Sequence, residues 1–200
     1  MARQSKRSGI VENGLELIHR NGFSASGVAA IAEAAGAPKG SFYNHFKSKD
    51  DFGNTVLNRY FEDVRSALIE TLHEKDRPAL TRLRNYFGRL RDYNGQSNFT
   101  RGCLIGNISA EVSAVSEPTR QNLGKLLAEW SASLAKCLED GQRDGSVRSD
   151  VDASTLGRLL LDAWQGALLR AKVERSPAAL NSFIDVLLPQ LIEKAVDHDI

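Results

Sequence analysis

Lys39, Ser41, Tyr43, Asn44 and His45 fall within one short segment and supply ammonium, hydroxyl, phenol, amide and imidazole groups with no acid among them. Such a set suits hydrogen bonding to base edges and phosphates rather than a reaction. A second string, Thr100–Val112 (TRGCLIGNISAEV), places Cys103 near Arg101 at the start of a helical pattern, with the small residues Gly106, Asn107 and Ala110 on its face. Unpaired helix-start amides and a neighbouring guanidinium both favour thiolate, the reactive form of cysteine. Cys137 differs, since it follows Trp130 and Leu134 on an apolar helix face, where a cysteine behaves as a small inert hydrophobe.

The elements around the first set read as two short helices and the capped start of a third, in SGVAAIAEAAGAPKGSFYNHFKSKDDF from Ser26 to Phe52. Val28, Ile31, Ala32 and Ala35 recur at helical spacing. Gly36 gives the backbone freedom for a sharp helix exit, and Pro38 fits the first turn of the next helix. That helix buries Phe42 and Phe46 and leaves Lys39, Ser41, Tyr43, Asn44 and His45 on its other sides. Ser26 is placed to cap the preceding helix, whose free amides then face a phosphate. A polar, weakly basic short helix after such a turn is what a reader of the DNA major groove requires.

This segment resembles the DNA-binding domain of TetR-family transcriptional regulators. The family's pattern of a hydroxyl residue, IAxxAG, a Gly-aromatic-Tyr-x-His-Phe core and a Lys-acid pair is met by Ser26, Ile31, Ala32, Ala35, Gly36, Gly40, Phe42, Tyr43, His45, Phe46, Lys49 and Asp50. Gly27 departs from it, standing where many members carry a second hydroxyl. The resemblance implies base-edge contacts from Lys39, Gly40, Ser41 and Asn44, and phosphate contacts from Ser26, Tyr43, His45 and Lys49. It also implies operator DNA and a small-molecule inducer as partners, no cofactor, and a repressor rather than an enzyme.

Charge agrees once it is divided along the chain. Residues 1–50 hold seven Lys/Arg against four Asp/Glu, a net of +3, and the remaining 150 hold nineteen against twenty-one, a net of −2. The basic end is the end with the helix-turn-helix. Arg3, Lys6 and Arg7 make a short basic arm for phosphates or a minor groove, or else a solvated tail. No long uncharged apolar run and no signal-peptide core is present, so a cytoplasmic location with no membrane association is expected. Two cysteines make no disulfide framework, and no Cys/His cluster has metal-ligand spacing.

The whole chain reads as helix, hence an all-α fold. Residues 1–50 form a three-helix helix-turn-helix DNA-binding domain, and 51–200 form a helical ligand-sensing and dimerisation domain. The first helix runs from about Ser8 to Arg20 and stops at Gly22. Ser48 with Asp51 opens a fourth helix, and Pro78 a fifth; Gly102–Val115 is a short helix, and Pro118 begins a long one. Asp152 caps a helix from Ala153 to about Arg175, and Ser176–Pro177 starts the last, which Pro189 is expected to kink or divide. Leu156, Leu159, Leu160, Ala163, Trp164, Ala167, Leu168 and Ala171 on one of these helices, and Leu180, Phe183, Ile184, Leu187, Leu188, Leu191 and Ile192 on the next, make broad apolar stripes. Two copies of the pair can form a four-helix bundle across a twofold axis, giving a homodimer; an intrachain core is the alternative.

The string around Cys103, with Gly40-Ser41-Phe42-Tyr43 and Arg170–Pro177 (RAKVERSP), resembles a TetR-family branch whose repressors respond to reactive electrophiles such as unsaturated carbonyl compounds and acrylate. That likeness makes Cys103, Gly106, Asn107, Trp164, Leu168 and Lys172 the sensor set, with Lys172 able to pair with the Cys103 thiolate. The alternatives are an inert cysteine beside a snorkelling lysine, or a non-covalent ligand pocket. A thiol enzyme lacks its base, because His19, His45, His73 and His198 belong to other segments. A non-specific architectural DNA binder conflicts with the modest net charge of +1.

Overall fold

The structure, a computed structural model, describes residues 6–193. Among them there is no strand. The helices are α1 (Lys6–Asn21), α2 (Val28–Ala34), α3 (Lys39–Tyr43), α4 (Lys49–Leu72), α5 (Ala79–Gly95), α6 (Leu104–Val112), α7 (Glu117–Asp144), α8 (Ala153–Glu174), α9 (Ala178–Ser182) and α10 (Leu188–Ile192). The chain divides into two compact units. One holds the helices up to Asp63 together with Cys103–Leu126; the other holds Val64–Gly102 and the chain from Leu127 onward. Both α4 and α7 therefore contribute to both units.

In the first unit an aromatic cluster of Phe42, Phe46 and Phe52 anchors α3 against the start of α4, with ring centroids 4.9–5.3 Å apart. All three rings are buried, and full burial of one such side chain contributes about 1.5–3 kcal/mol. Close approach is built in at Gly14, where an added Cβ would lie 2.4 Å from the Phe52 ring. The turn between α2 and α3 needs Gly36, whose φ of +62° is a left-handed conformation that side chains disfavour. The Ser48 hydroxyl accepts from the Asp51 amide at 3.0 Å, and the Asp51 carboxylate accepts from the Lys47 amide at 3.0 Å, so α4 starts with the expected cap.

The second unit is built around Phe87, Trp164 and Phe183, whose centroids are 4.8–5.3 Å apart. Helices α7 and α8 cross closely at Gly157, where a Cβ would sit 2.7 Å from the Ser131 carbonyl oxygen. Arg82 is buried; its guanidinium donates to the Leu72 carbonyl at the end of α4 (2.7 Å) and to Asp140 (3.1 Å). Asp152 caps α8 as expected, accepting from the Thr155 amide at 2.8 Å.

Two expectations change. Lys6 and Arg7 belong to α1, so they are helical rather than an arm, and the Arg7 guanidinium lies 5.2 Å over the Phe46 ring. Arg3 lies outside the described residues. The run that carries Pro189 is divided as expected: a π-turn at Phe183–Leu187, with the Leu188 amide donating to the Phe183 carbonyl, separates α9 from α10, and Pro189 stands in the first turn of α10. The wider turn takes up the register that a proline without an N–H would otherwise disrupt. Finally, α6 starts at Leu104, and Cys103 is its N-cap rather than part of its first turn.

Candidate functional site

Helix α3 is shorter than the sequence pattern suggests, ending at Tyr43, so Asn44, His45 and Phe46 lie at or beyond its end. Lys39, Gly40, Tyr43 and Asn44 are exposed, Ser41 and His45 are half-buried, and Phe42 faces inward. Asn44 is the C-cap of α3 and His45 follows in the turn, held by its amide on the Phe42 carbonyl. Tyr43 stands 55% exposed although its ring meets Phe42 edge-on. A hollow of about 220 Å³ beside the start of α3 is lined by Lys6, Gly9, Gly36, Pro38 and Ser41. Lys6 thus stands beside the reader from α1.

Ser26 does something other than cap. It is buried, its hydroxyl donates to the Gly22 carbonyl at 2.6 Å, and α2 begins from Gly27 with no side-chain cap. Its side chain closes the α1–α2 turn and is not available to a phosphate. Lys49 is also partly engaged: Nζ donates to the Ser24 carbonyl at 3.1 Å and lies 4.6 Å over the Phe23 ring. Burial lowers its pKa, against the raising influence of Glu111 and Asp50.

Glu111 was not anticipated. Its carboxylate accepts from two successive amides of the α1–α2 turn, Phe23 at 3.2 Å and Ser24 at 2.6 Å. The one signal in the sequence is that it is the sole charged residue of α6, in LIGNISAEV.

Cys103 lies at the other end of the same helix. The Gly106 amide donates to its sulfur at 3.5 Å, and the Asn107 amide donates to its carbonyl at 2.9 Å. It is 5% exposed, and Leu104, Ile105, Ile108 and Val112 are buried along α6. Cys103 at the N-cap therefore comes together with Gly106 and Asn107 of the first turn. Trp164, Leu168 and Lys172 belong to α8 in the second unit, where Trp164 and Leu168 are core residues and Lys172 is half-buried. Cys137 is buried, and that burial pushes its thiol up to about 11.

The family descriptions "Bacterial regulatory proteins, tetR family" and "Tetracyclin repressor-like, C-terminal domain" match residues 10–53 and 79–187. The transcriptional repressor DhaR of Mycobacterium sp. (strain GP1) is 40% identical over 193 residues, covering 96% of this chain and 95% of its own. The chain is a TetR-family transcriptional regulator. The regulatory protein TetR from Rhodobacter sphaeroides superposes on this TetR-family regulator with a TM-score of 0.86 at 31% identity, over 92% of this chain and 97% of that one. Escherichia coli NemR in its reduced form does so with a TM-score of 0.83 at 29% identity, over 96% and 99%. Among the described residues of the regulator, no helix is long and apolar enough to cross a membrane.

A further apolar surface of this TetR-family regulator lies on α8 and the last helical run. Leu159, Leu169, Val173, Val186 and Leu187 are exposed on α8 and the last helical run. Beside them lies a groove of about 580 Å³, lined by Ala163, Ala167, Phe183, Val186 and Leu187 among others. The opposite side of α8, with Leu156, Leu160, Trp164 and Leu168, is buried within the unit.

Proposed function

We propose that this regulator is a homodimeric repressor that binds a pseudo-palindromic operator through α3 and is released when a small electrophile modifies Cys103. Lys39, Gly40, Ser41 and Asn44 approach base edges, while Tyr43, His45 and Lys49 approach phosphates. The exposed apolar residues of α8 and the last helical run, with the groove beside them, receive the second copy. A dimer presents two readers to two half-sites one helical turn apart.

The observation that carries the release step is the position of the Cys103 sulfur. It caps α6, takes the Gly106 amide, and belongs to the same compact unit as α1–α3. Amides aimed at sulfur favour thiolate, as does the positive end of the helix. In the reaction the thiolate sulfur bonds to the β-carbon of an unsaturated carbonyl compound. The C=C π pair moves to the α-carbon, which takes a proton from solvent. The adduct removes the sulfur's negative charge and adds bulk at the cap.

The 5% exposure of Cys103 favours a second reading, a ligand that acts without a covalent bond. The experiment that separates them compares operator affinity of wild type and Cys103→Ser before and after a mild unsaturated aldehyde, with adduct mass recorded on each. Release of wild type alone, with one adduct per chain, supports covalent sensing; equal release of both supports the non-covalent reading.

A further inference from the structure

The turn that leads into the DNA reader is gripped from a distance of more than eighty residues in sequence. Glu111, in the last turn of α6, offers one carboxylate oxygen to the Phe23 amide and the other to the Ser24 amide. These amides belong to the turn between α1 and α2, so without Glu111 neither has a helix partner. Charged acceptors make the stronger class of hydrogen bond. The room for this clasp comes from Gly22, which has φ +88° and where a Cβ would lie 3.0 Å from the Glu111 carboxylate.

The rest of the turn is held as firmly. Phe23 is buried, and Gly53 of α4 permits its ring to approach so closely that a Cβ there would lie 2.5 Å away. Lys49 covers the same ring and bonds the Ser24 carbonyl. The Ser26 hydroxyl closes the turn on the Gly22 carbonyl. Two helices, α4 and α6, therefore fix the start of α2, and α2 in turn carries α3 through the Gly36 turn.

We infer that Glu111 is a positioning residue for operator recognition, which holds the reader in register with α6 by clasping the Phe23 and Ser24 amides. It touches no DNA. Base-edge contacts depend on where α3 lies to within a fraction of an ångström, whereas non-specific phosphate attraction does not. Loss of the clasp should therefore lower affinity for the operator while leaving affinity for random duplex nearly unchanged. A displacement of α6 would reach the reader by the same two bonds.

The inference rests on α3 being the operator reader. Its test measures binding of wild type, Glu111→Ala and Glu111→Gln to an operator selected from a random-sequence pool and to a scrambled duplex, across a salt series. Amide hydrogen exchange at Phe23 and Ser24 is followed in parallel. The expected result is a fall in the operator-to-scrambled ratio of about tenfold for Glu111→Ala, the scale of one charged hydrogen bond, and a smaller fall for Glu111→Gln. The salt slope should be unchanged, and both amides should exchange faster. If Glu111→Ala does not fold, the near-isosteric Glu111→Gln decides on the same ratio. A folded variant that keeps the wild-type ratio overturns the inference, as does an equal loss on both duplexes. A wild-type protein with no preference for any selected duplex would instead overturn the operator-reading role of α3, which is a distinguishable failure.

Discussion

The Ser116 hydroxyl donates to the Asp50 carboxylate at 2.8 Å, joining the turn before α7 to the first turn of α4. The same hydroxyl lies 3.0 Å from that of Thr119, and Asn122 donates to the side chains of Asn54 (3.1 Å) and Asn58 (3.2 Å). Ser116 and Thr119 are buried, so these hydroxyls depend on one another and on α4 for partners. Helix α4 and the segment from the α6–α7 turn into α7 thus share a polar seam inside one compact unit.

Breaking that seam has a measurable consequence. Ser116→Ala leaves the Asp50 carboxylate short of a donor and the Thr119 hydroxyl short of an acceptor, and should lower stability by about 1 kcal/mol, the usual net value of one such bond. Urea unfolding of the two proteins gives the difference; equal midpoints would show that the seam contributes nothing.

Two glycines of α7 and α8 should respond in opposite directions. Gly157→Ala drives a methyl toward the Ser131 carbonyl at 2.7 Å and should cost about 1–3 kcal/mol through overpacking. Gly124→Ala, in α7, meets nothing within 4 Å and should stabilise by about 0.5–1 kcal/mol through helix propensity. Thermal melts of both variants would check the signs.

Much of the reader was legible because its determinants are local. Gly36 and the Ser48 cap, and in the second unit the Asp152 cap, each depend on residues within a few positions of one another and stand where the pattern placed them, whereas Phe46 is buried as expected but lies beyond the end of α3. What was missed is non-local. Ser26 looked like a cap by type and position, but the carbonyl it satisfies belongs to Gly22 in the preceding turn. Glu111 finds its partners in the distant turn between α1 and α2, and no periodicity reports that. At Pro189 the sequence marked the conflict correctly, while its resolution by a π-turn depended on keeping Phe183 packed on Phe87 and Trp164.

Substitutions in the reader should separate affinity from discrimination. Asn44→Ala should relax sequence preference, reducing the advantage of operator over random duplex by about 1–3 kcal/mol. Tyr43→Phe and Lys49→Ala should weaken binding to all sequences, and Lys49→Ala should also loosen the turn that it holds at Ser24. Titration at two salt concentrations distinguishes the classes. An equal loss on both duplexes for Asn44→Ala would remove it from base reading.

Assembly is open to a single charge. Leu187 is 37% exposed beside the α8 groove, so Leu187→Glu leaves the isolated chain folded but places an unpaired carboxylate in the proposed dimer seam. Sedimentation at micromolar concentration should find a dimer for wild type and a shift to monomer for the variant. A monomeric wild type would exclude the seam.

Thiol chemistry tests the release step most directly, because the two cysteines should behave differently. With its thiol pushed up to about 11, Cys137 stays protonated and inert at neutral pH, and gains thiolate only as the pH approaches that value. Cys103 should take the first equivalent. The decisive measurement is operator affinity of wild type, Cys103→Ser and Cys137→Ser after one equivalent of an unsaturated aldehyde at pH 7. The account predicts that wild type and Cys137→Ser lose the operator while Cys103→Ser keeps it; release of Cys103→Ser to the same extent as wild type would contradict it.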